Sequence, residues 1–143
     1  MNTNRLPILL TTLFLCLGLG FSSGCSSTAV YQMDSGERTA GAEGQVSVDR
    51  DRNGNQVVNL RVAHLPMPSR LEEGMSTYVV WVFPNDSRTA YNVGQMRLRD
   101  DRTAEINFTT PFRTFNMVVT AEVDSQVMSP SNQVVLRRAV GGN

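Results

Sequence analysis

With 143 residues, 13 acidic against 13 basic side chains and a formal net charge of zero, the chain has material for one domain and offers no electrostatic case for nucleic-acid binding. All 13 basic residues are Arg and they are interspersed with the acids, the pattern of a mixed, solvated surface. The two cysteines, Cys16 and Cys25, both precede the expected domain, so no disulfide can close within it and stability must come from packing.

Arg5 is followed by a nearly unbroken apolar run from Leu6 to Phe21 and then by Ser22-Ser23-Gly24-Cys25. A positive start, an apolar centre and a small-residue end make a secretory leader. The run is shorter than the roughly 20 residues that cross a bilayer comfortably, and small residues follow it, so the pattern predicts cleavage over 1–24. Ser23-Gly24-Cys25 resembles the lipobox of bacterial lipoproteins, with Ser22 standing where that family carries an aliphatic residue. The resemblance implies that Cys25 is lipidated, becomes the first residue of the exported chain and supplies membrane attachment. Ser26 resembles the neutral residue that permits outer-membrane sorting in Gram-negative species.

From Ser26 to about Gly44 the chain is Ser, Thr, Ala, Gly and scattered charges without a sustained period, which predicts a flexible linker over 25–43. Such a tether would span roughly 25 Å and hold a domain over 44–140 clear of the headgroups.

After Gly44 the period becomes two. Val46 and Val48 alternate with polar neighbours, as do Val58, Leu60 and Val62, and Asn53-Gly54 between them is a strong hairpin signal. Pro66 and Pro68 end the pairing, since neither can donate to a ladder. Thr77 to Phe83 is apolar on both parities, which fits a central strand covered on both faces. Tyr91 to Arg99 resumes with Met96 and Leu98 inward, and Val93 beside Gly94 falls off that parity, which predicts a bulge. Ala104, Ile106 and Phe108 line the next strand, Phe115, Met117, Val119 and Ala121 another, and Val134 to Leu136 the last. About seven short strands with turn chemistry between them predict an all-β domain, an immunoglobulin-like antiparallel β-sandwich, with a small barrel as the alternative.

Thr77 to Val82, Asn92 to Met96, Phe115 to Glu122 and Pro130 to Leu136 resemble the extracytoplasmic C-terminal domain of anti-sigma-K-type regulators and a set of bacterial lipoproteins carrying a similar domain. That family repeats a Tyr-x-x-Trp strand, a Val/Ala-Gly step, a Val-Thr-x-Glu strand and a Pro-x-x-x-Val-Leu ending. The resemblance implies a fold. It implies no sigma-factor inhibition, because the cytoplasmic sigma-binding helices and the spanning helix of those regulators have no counterpart here.

Asp49, Asp51, Asn53 and Gly54 reproduce the first half of a helix-loop-helix calcium loop, but Leu60 stands where the bidentate acid belongs, so a plain charged hairpin is the simpler reading. His64, the only histidine, continues the inward parity of Leu60 and Val62, which predicts a capped or partly buried ring. With Met67 it makes a second candidate, a soft copper site, though a blue-copper centre would also need a thiolate that the domain lacks. Met96 and Met117 read as core filler.

No Gly-x-Ser-x-Gly elbow occurs, and the adjacent pairs Glu72-Glu73 and Asp100-Asp101 diverge in a strand or turn, so the chain does not read as an enzyme and no cofactor is expected. The favoured reading is a membrane-tethered binding or structural module of the cell envelope, with an envelope protein or the cell wall as partner. Its candidate surface is the Leu65 to Met75 loop, with Arg70, Glu72 and Glu73, together with the Pro84 to Ala90 turn. The alternative is a calcium- or copper-responsive sensor or carrier.

Overall fold

The computed structural model describes residues 27–85 and 87–141, so the leader expected over 1–24 and the lipidation candidate Cys25 lie outside the described residues. Among those described, eight strands form: β1 Ala29–Ser35, β2 Glu43–Arg50, β3 Gln56–Ala63, β4 Thr77–Pro84, β5 Tyr91–Met96, β6 Ala104–Thr110, β7 Phe115–Glu122 and β8 Val134–Val140. Two short 3-10 turns, Glu37–Thr39 and Pro68–Arg70, complete the elements, and no described helix is long and apolar enough to cross a membrane.

The alternation visible in the sequence builds the core. Val46 and Val48 of β2, Val58, Leu60 and Val62 of β3, and Phe115, Met117, Val119 and Ala121 of β7 are all buried, while their neighbours in β2 and β3 face outward. Each buried Val, Leu, Met or Phe side chain among them contributes about 1.5–3 kcal/mol. Against them pack Tyr78, Val80 and Val82 from one face of β4.

All pairings are antiparallel and the strands form one sheet in the order β5-β4-β7-β8-β1-β2-β3-β6. The sheet nearly closes on itself. Its two edges, β5 and β6, approach where Gly94 faces Ile106, and a Cβ added to Gly94 would stand 3.0 Å from Ile106 Cδ1. The expected bulge is here: Val80 pairs with Gly94 and Trp81 with Asn92, so Val93 is the extra residue, and Gly94 takes φ +139°, a conformation side chains rarely adopt.

The strand count is eight rather than the seven expected, because the stretch read as a linker contains β1 and the first 3-10 turn. The physical reason is a short inward stripe. Tyr31 is half-buried and Met33 is buried over Gly44, where an added Cβ would meet Met33 Cβ at 3.0 Å and Leu136 Cδ1 at 3.1 Å. Gly44 is therefore a contact point inside β2 and not the end of a tether. Thr39 is also buried, its hydroxyl donating to the Val135 carbonyl at 2.8 Å.

β1 joins the two halves of the sheet. Ala29 to Met33 pair with Val48 to Gly44 of β2, and Asp34 and Ser35 then pair with Arg137 and Leu136 of β8. Pairing directions place Ala29, the 51–55 turn, the 85–90 turn, the 111–114 connection and Gly141 at one end of the sheet. The 64–76, 97–103 and 123–133 segments lie at the other.

Candidate functional site

The hairpin candidates are organised for turning the chain. Asp51 Oδ1 accepts from the backbone N–H of Asn53 at 2.8 Å and of Asn55 at 2.9 Å, and Asp51 Oδ2 accepts from Asn55 Nδ2 at 3.1 Å. These bonds, led by that from the Asn55 side chain, hold the carboxyl below its ordinary value of 3.8. Asp49 accepts instead from the Thr28 hydroxyl, Asn53 is exposed, and Leu60 points into the core with no exposed surface. Asp51 thus spends its oxygens on a five-residue loop in which Gly54 takes φ +86°, and among the described residues no group of three or more His, Cys, Asp or Glu side chains is placed to hold a metal.

His64 departs from the expectation. Its backbone turns left-handed, φ 59°, which breaks the strand's alternation and leaves the ring exposed. The next residue resumes the core: Leu65 is fully buried and its N–H donates to the Arg102 carbonyl at 3.1 Å. Arg102 is the other described non-glycine residue with positive φ, 61°, so two unusual backbone positions meet where β3 ends and the chain turns into β6. Met67 is 60% exposed.

The Leu65 to Met75 loop is pinned at several points. Leu65, Pro68 and Leu71 are buried, and the Tyr78 hydroxyl donates to the Pro66 carbonyl at 2.7 Å. Burial pushes the Tyr78 phenol up to about 12. Of the expected contact residues, Arg70, Glu72 and Glu73 are all exposed, and Glu72 also accepts from the Gln133 side chain. Arg38 joins the same cluster, donating to Gln133 Oε1 at 2.9 Å and to the Leu71 carbonyl. The loop, the first 3-10 turn and the β7–β8 connection are thereby tied together. Beside them lies a cleft of about 510 Å³ whose apolar lining includes Met67, Met75, Tyr78, Met96 and Leu98.

The sequence reading missed a polar chain on the outer face of β4 and β7. Trp81, 0% exposed, donates from Nε1 to Thr120 Oγ1 at 2.8 Å, and Thr120 Oγ1 donates in turn to Glu122 Oε1. Glu122, itself only 3% exposed, also accepts from the Ser131 N–H at 2.8 Å, while the Ser131 hydroxyl donates to the Ala121 carbonyl. Asn92 Nδ2 reaches the carbonyls of Ser125 and Val127 at 3.1 and 3.3 Å. The 123–133 connection is therefore drawn across the sheet, and this is what covers the second face of β4. Trp81 stands three residues after Tyr78, and Thr120 and Glu122 alternate on β7; that spacing is visible in the sequence, and the fold joins the three side chains.

The outer face of β3 and β6 is different in kind. Glu105 accepts from Asn59 at 2.7 Å and pairs with Arg61 at 3.2 Å on open surface, and these partners hold its carboxyl below the ordinary 4.5. One broad side of the domain is thus capped by a loop and the other is bare and polar. No protein-family model, curated protein or solved structure matches this chain.

Proposed function

We propose that the protein is a membrane-anchored lipoprotein of the cell envelope whose small β domain serves as a binding or structural module, and that it is not an enzyme. The observation that carries this reading is the leader ending in Ser23-Gly24-Cys25 directly ahead of an independently cored domain. A lipidated Cys25 would fix one end of the domain at a membrane and leave the opposite loops, including Arg70 and Glu73, facing an envelope protein or the cell wall. The outer membrane is the favoured site in a Gram-negative host, following Ser26.

The architecture fits an immunoglobulin-like sandwich of β2-β3-β6 against β5-β4-β7-β8, with β1 as an added stitch between the halves. Trp81 on the fourth strand, buried against its neighbour, supports that assignment and the kinship with anti-sigma-K-type extracytoplasmic domains.

Metabolic labelling with a palmitate analogue, followed by intact mass of the purified protein, tests the anchor. Acylation in the parent chain and its loss in Cys25→Ser are expected, and an unmodified, freely diffusing product would end the reading. Thermal melts with calcium or copper separate it from a metal-responsive sensor: the midpoint is expected to stay fixed, since a specific site raises it once ligand exceeds its dissociation constant.

A further inference from the structure

We propose that the end of the domain carrying the 51–55, 85–90 and 111–114 turns docks on anionic lipid headgroups, an inference that rests on lipidation at Cys25. The first support is reach. Between Cys25 and the first residue of β1 lie only Ser26, Ser27 and Thr28, and four Cα steps span at most about 14 Å. β1 starts at that end of the sheet, so those turns are held within reach of the membrane surface, where headgroup charge decides whether they dock. Eight-residue strands such as β3 place the opposite loops roughly 25 Å further out.

The second support is charge. The turns nearest Ala29, residues 49–55, 85–91 and 111–114, carry four arginines against three aspartates, whereas the far segments 36–43, 64–76, 97–103 and 122–133 carry eight acids against five arginines. The near arginines Arg50, Arg52, Arg88 and Arg113 are exposed, and among the described residues both ion pairs, Arg61–Glu105 and Arg99–Glu105, lie elsewhere. Asp49 and Asp51 keep their charges, since Thr28 and the 51–55 turn offer them only neutral donors, so four arginines less three aspartates leave the near end at +1 while five arginines less eight acids leave the far segments at −3. An anionic surface therefore attracts this end and repels the other.

The third support is aromatic. Tyr91, 45% exposed, and the half-buried Phe112 stand together at this end with ring centroids 5.3 Å apart. An amphipathic pair of this kind suits the headgroup boundary, with apolar ring faces inward and the phenol in water.

The test uses the full lipidated chain in vesicles of phosphatidylcholine alone or mixed with phosphatidylglycerol. A single fluorophore is placed at Asn53→Cys or at Ser69→Cys, and quenching by a headgroup-attached quencher is read. The Asn53 probe is expected to be quenched more strongly when phosphatidylglycerol is present, with the Ser69 probe unchanged. Each arginine near an anionic surface strengthens apposition roughly fivefold, so Arg50, Arg52, Arg88 and Arg113→Gln together should reduce the Asn53 signal to its phosphatidylcholine level at an unchanged melting midpoint. Equal quenching in the two vesicle types, or stronger quenching at Ser69, would overturn the docking. A missing acyl mass would instead overturn the lipoprotein reading, and the two failures are read by different instruments.

Discussion

Thr120 shows how one hydroxyl can hold two elements in place. It accepts from the Trp81 indole and donates to Glu122, and both partners are shut away from water. Thr120→Val keeps the shape but strands the indole N–H and leaves Glu122 Oε1 with the Ser131 N–H alone, so urea denaturation should show a loss of about 1–3 kcal/mol, largely restored in Thr120→Ser. Tyr78 gives a pH signature. Its folded phenol titrates at about 12 against an ordinary 10.0, so the stability it contributes is complete below 10 and is lost as pH climbs through 10 towards 12. Alkaline melts should show that loss in the parent chain and not in Tyr78→Phe, which gives up the bond to Pro66 at the cost of about 1 kcal/mol at neutral pH. His64 marks where residue patterns stop being readable: alternation placed it inward, and one left-handed backbone angle turned it out.

The other seven strands were legible from an inward stripe on a period of two or, in β4, from a run apolar on both parities, with turn residues between. Val58, Leu60 and Val62 are the plainest case, and the off-parity Val93 beside Gly94 announced the bulge. β1 escaped notice because its stripe is only Tyr31 and Met33, with Val30, 56% exposed, on the wrong side and a run of small residues after it. Its existence depends on partners on both sides, information that sits in β2 and β8. Gly44→Ala tests that dependence. The added methyl meets Met33 and Leu136 at 3.0–3.1 Å, so the domain should lose about 1–3 kcal/mol, with β1 amides exchanging faster while those of β4 and β7 hold. The polar chain under the 123–133 connection was illegible for a related reason: Glu122 reads as an ordinary surface acid until the loop is seen to lie over it.

Taken whole, the molecule has a core that needs no disulfide and a surface whose carboxylates are held by light, exposed contacts. Asp51, Asp101 and Glu105 all titrate below their ordinary 3.8, 3.8 and 4.5, through bonds led by Asn55, Thr103 and Asn59 respectively. Stability from these groups is present above those values and is lost as pH falls below them, so acid titration should leave the midpoint flat down to about 4.5 and then lower it. Leu60→Ala, at the centre of β3 with no exposed surface, should cost about 2–5 kcal/mol, and circular dichroism against urea measures it.

β1 is also the strand through which any pull from an anchored N-terminus enters the domain. It lies antiparallel to β2 and β8 and runs from the end nearest Cys25 towards the far loops. A partner tugging on those loops would load its hydrogen bonds side by side, in shear, and would not unzip them one after another. Were the chain held at Cys25, the strand hidden in the apparent tether would be the first to carry load, and its pairing with β2 and β8 would set the rate of forced unfolding.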